Sequence, residues 1–167
     1  GQEGKYSSRA FYTVYSIDAD GQRDLLGMYM SENEGANHWG MVLQNLRSRG
    51  VEDVLVFCTD DLSGFSEAMA DVFPTTVVQK CLVHKMRNSI RFVDNKDMKQ
   101  VVKGLRAIYT SETLEAATTA LEVFAVAWGD KYSNIVESWR RDWEELMAFL
   151  DFPSELRRMI YTTNPVE

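Results

Sequence analysis

The 167-residue chain has no apolar run approaching the roughly 20 residues that cross a bilayer, so no membrane-spanning helix is predicted. Its first residues, Gly1 to Arg9, are polar and carry no apolar stretch, so they do not read as a secretory signal. Cysteine is scarce. Cys58 and Cys81 both sit in apolar runs, and the reading is a reducing, cytoplasmic chain without a structural disulfide. Basic residues are outnumbered, with 18 Lys and Arg against 25 Asp and Glu, a net charge of −7. That balance opposes nucleic acid as a partner, because duplex binding draws on Lys and Arg to displace counterions. The objection weakens if the chain is a fragment whose DNA affinity lies in a basic segment elsewhere. Both ends, Gly1-Gln-Glu-Gly4 and Pro165-Val-Glu167, read as cut. No internal repeat or low-complexity tract occurs.

What is present is the composition of a soluble globular domain, 45% hydrophobic and 26% charged. Phe11–Ile17 is rich in β-branched and aromatic residues, Asp18-Ala-Asp-Gly21 is a turn signal, and Asp24–Met30 follows as a second strand. The pair reads as an antiparallel hairpin. A helix comes next, with Ser31 as its expected cap and Glu34 three residues on. Its apolar positions Trp39, Val42, Leu43 and Leu46 recur at helical spacing, and Gly50 stops it.

Val54-Leu-Val-Phe-Cys58 is a short continuous apolar run, the pattern of a strand buried on both faces in parallel pairing. A helix is expected from about Ser63 to Phe73, broken by Pro74, then a strand over Thr76–Leu82 and a helix over His84–Phe92. From about Asn95 the pattern is purely helical. Three amphipathic helices are expected, the last defined by Ile135, Val136, Trp139, Trp143, Leu146 and Met147. Trp128, Trp139 and Trp143 are expected to be largely buried.

Asp60 is the first candidate for chemistry, since it ends a buried strand with Asp61 beside it. Strand carboxyl ends are where α/β sheets build sites, and a carboxylate there can hold a hard divalent cation. The plain alternative is a helix cap. Glu167 follows Asn164 and Pro165 in what looks like a helix start, where a glutamate commonly caps. Cys81-Leu-Val-His84 has metal-ligand spacing but supplies half of a zinc set, with Cys58 and His38 the other candidates. A buried thiol and a hydrogen-bonded histidine is the default. Lys80, Lys85, Arg87 and Arg91 gather after the strand, and Arg140-Arg141 and Arg157-Arg158 add two pairs. Lys85, Arg87, Arg91, Arg140 and Arg141 are candidates for phosphate contacts, or else solvated charges.

Six separated motifs together resemble one family across essentially the whole chain. They are Glu32-Asn-Glu-Gly35, Asp60-Asp-Leu-Ser-Gly-Phe65, Cys81-Leu-Val-His-Lys-Met-Arg-Asn88, Trp128-Gly-Asp-Lys-Tyr132, Ser138-Trp-Arg-Arg-Asp-Trp143 and Tyr161-Thr-Thr-Asn-Pro-Val-Glu167. In this order they are similar to the Mutator-like bacterial insertion-sequence transposases. The resemblance implies an α/β, ribonuclease-H-like mixed sheet with an all-helical insertion before the last catalytic glutamate. The implied division is a core over 1–93, the insertion over 94–152, and a return to the core over 153–167. It implies an Asp-Asp-Glu triad whose second Asp is Asp60 and whose Glu is Glu167. Asp61 stands where the family's motif has glycine. The first Asp is expected on a strand ahead of Phe11, outside these residues, so the chain alone is expected to be inactive. Asp18 and Asp20 fall in the hairpin turn and are poor substitutes for it.

The chemistry so implied is metal-dependent cleavage of DNA and strand transfer during transposition, with Mg²⁺ or Mn²⁺ held by Asp60, Glu167 and the missing carboxylate. Cys81 and His84 are expected beside the site. The partners implied are the DNA of the element's ends and target, with self-association in the full protein, no membrane and no small-molecule cofactor. The setting is bacterial and cytoplasmic, at the nucleoid when acting. Two other functions fit the same fold: a nuclease without strand transfer, and a non-catalytic DNA-binding or assembly module.

Overall fold

Strand β1 (Ala10–Ile17) and strand β2 (Arg23–Ser31) pair antiparallel, from Ala10 against Ser31 to Ile17 against Arg23, with an irregularity at Val14/Tyr15. The turn between them is made by Asp18. Its Oδ1 accepts from the backbone N–H of Asp20 at 2.9 Å and of Gln22 at 2.8 Å. Gly21 supplies the positive φ of 78°. The Asp18 carboxylate is thus spent on the turn, in which Asp20 also lies. This is a computed structural model, and it describes residues 9–31 and 35–162.

The remaining elements, in chain order, are α1 (Ala36–Ser48), β3 (Val56–Thr59), α2 (Phe65–Val72), β4 (Val77–Lys80) and α3 (Leu82–Ile90). Then come α4 (Asn95–Tyr109), α5 (Leu114–Trp128), α6 (Ser133–Arg141), α7 (Trp143–Met147), a 3-10 turn (Ala148–Asp151) and α8 (Ser154–Thr162). The expected cap at Ser31 is corrected: Ser31 is the last residue of β2, and Gly35 precedes the first residue of α1. The cap is the residue immediately before the first helical one, and Ser31 lies five positions ahead of Ala36.

Strands β3 and β4 form a pair of their own. Val77 N–H donates to the Leu55 carbonyl and Cys81 N–H to the Thr59 carbonyl. The two bonds advance together along both strands, which is parallel pairing. The single mixed sheet expected from the sequence is therefore two separate two-stranded sheets. Each described strand has one hydrogen-bonded neighbour, and no further strand among the described residues pairs with the open edges.

The described residues divide into two compact units. One takes in β1, β2, α1 and α2, that is, the described residues up to Phe57 and then Leu62 to Val77. In it Trp39, Val42, Leu43 and Leu46 of α1 are buried, as are Phe65, Ala68, Met69 and Val72 of α2. The Trp39 and Phe65 rings meet edge-on at 5.6 Å. Gly64, at the start of α2, has φ +74°, and a Cβ there would lie 2.4 Å from the Ala36 nitrogen. Left-handed backbone costs a side-chain-bearing residue about 1–2 kcal/mol before any clash. Gly64→Ala is therefore expected to lower stability by at least ~2 kcal/mol in urea unfolding. An unchanged midpoint would show that α1 and α2 do not approach there.

The other unit takes in 58–61 and 78–162. Its core is the apolar stripes of α4 to α7, centred on Val101, Leu105, Ile108, Phe124, Trp139 and Leu146. Trp139 is wholly buried, and its Nε1–H donates to Ser89 Oγ at 2.8 Å. Trp128 and Trp143 are half-buried at the margin of that core. The third amphipathic helix is interrupted at Asp142, so that α6 and α7 are separate segments.

Candidate functional site

The parallel pairing of β3 with β4 sets the positions that follow each strand side by side. Asp60 follows β3 directly, and Cys81 follows β4 and precedes α3. Three residues into α3, His84 turns its Nδ1 to within 3.3 Å of Asp60 Oδ2. The Asp60 side chain is 54% exposed. The structure thus brings together two of the sequence candidates, a carboxylate at a strand's end and the histidine of the Cys-x-x-His motif. Cys81 lies at the start of the same helix. Cys58 and Cys81 are half-buried thiols. Among the described residues no three His, Cys, Asp or Glu side chains converge on a metal position. Glu167 lies outside the described residues.

Asp61 has a different partner. Its Oδ1 lies 2.9 Å from Lys80 Nζ, and the same ammonium lies 3.0 Å from Asp142 Oδ1 and 3.3 Å from Glu145 Oε2. The neighbouring aspartates are therefore unequal. Asp61 is held by a lysine, while Asp60 presents its oxygens outward. Half-exposed carboxylate oxygens with one histidine beside them suit a hard divalent cation, which takes one or two protein carboxylates and completes its shell with water and substrate oxygens.

Asp142 is the centre of the charged cluster. Its side chain is 5% exposed, and its oxygens accept from Lys80, Lys85 and Arg141. Lys85, also 5% exposed, donates as well to the Ser138 carbonyl and hydroxyl. Burial alone would raise the Asp142 pKa; the hydrogen bonds from Lys85, Lys80 and Arg141 outweigh it and hold the carboxyl at about 2. Burial likewise pulls Lys80 down, but its bonds to Asp61 and Asp142 leave it above its ordinary value. Burial draws Lys85 below its ordinary value against the pull of Asp142.

The depressed Asp142 has a consequence in acid. A group whose pKa is lowered by folding adds stability above its unfolded value, here 3.8, and loses it as pH falls through about 2. Between about pH 4 and pH 2 the chain is expected to lose about 2 kcal/mol on this account. Asp142→Asn should flatten that part of the stability profile measured by urea unfolding at a series of pH values. An equally steep profile in the variant would assign the acid sensitivity elsewhere.

The basic candidates separate on inspection. Lys85 is not a phosphate contact in this structure, because its ammonium is buried and committed to Asp142 and Ser138. Arg140 pairs with both oxygens of Glu122 at 2.9 Å, and Arg141 leans back on Asp142 and Ser138. Arg157 donates to the carbonyls of Phe152, Leu150 and Glu112, so it ties down the chain ahead of α8. Arg87 and Arg91 are exposed on α3.

Sequence reasoning gave no role to Asp142, Ser138 or Glu145. A signal was present for the first. Asp142 falls in line with Ile135, Trp139 and Leu146, at spacings of four, three and four, so a lone carboxylate interrupts an apolar stripe. Such a position requires a buried cation.

The full length of the chain agrees with a protein-family model. Residues 2–167 match the family described as "Transposase, Mutator family". Among its relatives is a probable transposase for an ISRM3-like insertion sequence element of Sinorhizobium fredii, 46% identical over 99% of this chain and 42% of the relative. The transposase for insertion sequence element ISRM3 of Rhizobium meliloti is 45% identical, again over 99% of the chain and 42% of the relative. A probable insertion-sequence transposase of Corynebacterium diphtheriae is 39% identical over 96% of the chain and 47% of the relative. The chain belongs to the Mutator family of transposases, and it spans less than half the length of these curated relatives.

Proposed function

We propose that this chain forms most of the catalytic core of an enzyme that cuts DNA strands at the ends of an insertion sequence and joins them to target DNA. The observation that carries the reading is the placing of Asp60. It follows a strand of a parallel pair, is half-exposed and, among the described residues, has His84 at its oxygens, in a chain of the Mutator transposase family. Asp60 and Glu167 would serve as two ligands for Mg²⁺ or Mn²⁺. A third carboxylate would come from a strand ahead of β1, outside these 167 residues.

When bound, such ions supply an activated water or 3′-hydroxyl and neutralise charge on the phosphate and the leaving oxygen. The protein's part is to aim the carboxylates. Lys80 holds Asp61 aside, and His84 braces Asp60 from the α3 side. The antiparallel hairpin, the parallel pair and the helical segment from α4 to α7 support a ribonuclease-H-like core. The strand that would bring the third carboxylate would pair with one of the described strands, each of which has one hydrogen-bonded neighbour among the described residues. Substrate DNA, self-association in the full protein and action at the bacterial nucleoid belong to the same proposal. No helix among the described residues is long and apolar enough to cross a membrane.

The test is a supercoiled donor plasmid carrying the element's ends, incubated with the full-length protein. Cleavage and joined products are expected with Mg²⁺ or Mn²⁺ and none with chelator. The 167-residue chain alone, short of one carboxylate, is expected to yield neither. Cutting that proceeds in chelator would sink the proposal, and robust metal-dependent cutting by the short chain would sink the three-carboxylate form of it.

A further inference from the structure

Helix α4 turns two unlike sides to its surroundings. Val101, Leu105 and Ile108 are buried in the core of the helical unit. Lys96, Lys99, Lys103 and Arg106 are exposed. At about 100° per residue these four cations fall within an arc of about 80°, on the side opposite the buried residues. The helix carries one carboxylate, Asp97, which lies about 100° round from Lys96. Lys96 is felt there, but Asp97 is bonded to the Lys131 ammonium and the Tyr132 hydroxyl.

Several other cations of this unit are committed to carboxylates, namely Lys80, Lys85, Lys131, Arg140 and Arg141. Among the described residues, Lys96, Lys99, Lys103 and Arg106 make no such ion pair. Like charges three and four positions apart on a helix repel, and acidic residues among them are the usual relief. The arc holds none. Solubility does not account for the clustering, since a net charge of −7 already supplies it. Nor does the face suit a protein partner. Protein interfaces bury an apolar centre and are depleted in lysine, whereas Gln100 and Ala107 flank this stripe and are exposed. What the stripe matches is a regular polyanion. From Lys96 to Arg106 it runs about 15 Å, the axial rise of about four phosphates on one strand of a duplex.

We infer that the outer face of α4 seats the phosphate backbone of duplex DNA, through charge and without reading base sequence. The inference rests on the DNA-cutting function proposed above and names a surface that would hold its substrate. Lysine meets phosphate as a point charge with rotatable donors, so a stripe made mostly of lysine grips the backbone and carries no base information. Counterions are displaced by the cations that touch phosphates. A net-acidic chain can therefore hold DNA where its cations are gathered and its carboxylates are not.

The experiment measures binding of the full-length protein to two unrelated mixed-sequence duplexes by fluorescence anisotropy, over a series of salt concentrations and in chelator so that nothing is cut. The double change Lys99→Gln with Lys103→Gln is expected to weaken both duplexes alike, by about fivefold per lost contact at physiological salt. It should also flatten the dependence of log affinity on log salt by about 1.8. Lys99→Arg with Lys103→Arg should keep the wild-type slope. Arg140→Gln removes a charge that is already paired with Glu122 and should leave the slope unchanged. The melting temperature of the glutamine variant should be no lower than that of wild type, since like-charge repulsion is relieved. A wild-type slope in the glutamine variant, or a flattening of about 0.9 in Arg140→Gln, would overturn the inference. So would a glutamine variant that keeps its DNA slope but changes oligomeric state in light scattering, which would give the face to a second copy. Cleavage is read separately with Mg²⁺. A wild type that binds with this lysine-dependent slope but does not cut would refute the proposed function and leave the seat standing.

Discussion

Replacing Asp60 by Asn in the full-length protein is expected to abolish both strand cleavage and strand transfer while the fold stays intact. The side chain is half-exposed and makes no contact that the core needs, so Asn fits at nearly constant volume. What is lost is the charge that would hold a divalent ion. Such an ion contributes several kcal/mol of charge stabilisation in the transition state, and each 1.36 kcal/mol is tenfold in rate. A loss of about a thousand-fold or more follows. Asp61→Asn is the informative neighbour. Its carboxylate is engaged by Lys80 at the protein surface, a pair worth about 1 kcal/mol or less. That variant should retain activity within about tenfold of wild type. The reverse result, with Asp61→Asn dead and Asp60→Asn active, would move the ligand by one residue. Circular dichroism and melting temperature on both variants separate a chemical loss from an unfolded protein.

Asp142→Ala is expected to be the most damaging single change to stability, at about 3–5 kcal/mol by urea unfolding. Removing that carboxylate leaves Lys85 buried with only Ser138 for company and strips Lys80 of one of three acidic partners. Domains of this size are stable by about 5–15 kcal/mol, so a large share of the margin would go. The damage comes from the stranded charge, not from the absent ion pair as such. The double change Asp142→Leu with Lys85→Met should therefore recover much of the loss, since well-packed apolar groups often replace a buried pair at little cost. Lys80 would still have Asp61 and Glu145. A loss below about 1 kcal/mol in Asp142→Ala would show that the cluster is solvated and its partners adaptable.

Local pattern and tertiary pairing divided the labour unequally. The hairpin was legible because alternation and Asp18-Ala-Asp-Gly21 act over a few residues, and the Asp18 carboxylate closes the turn on its own neighbours. The strand ending near Asp60 was legible because an unbroken run of Val, Leu and Phe has few other uses, but the burial on both faces that the run implied is not found: Val56–Thr59 are half-buried and Leu55 is exposed. The helical stretch after Asn95 was legible from its stripes, and the motif order pointed to the transposase family to which the chain belongs.

Other features needed the folded chain. That Ser31 closes a strand depends on its partner Ala10, twenty-one positions away, and no cap signal encodes that. Nothing local says that Lys85 is turned inward; on the sequence it is one of several cations after a strand. Its fate was settled by Asp142, more than fifty residues later, which α6 and α7 deliver to the same place. The same encounter decided which of two adjacent aspartates stays available, because Lys80 takes Asp61 and leaves Asp60 to His84. Periodicity records which face of an element avoids water, since that preference belongs to each residue separately. Charge pairing is a property of two residues at once, and only the packed chain sets their distance and the dielectric between them.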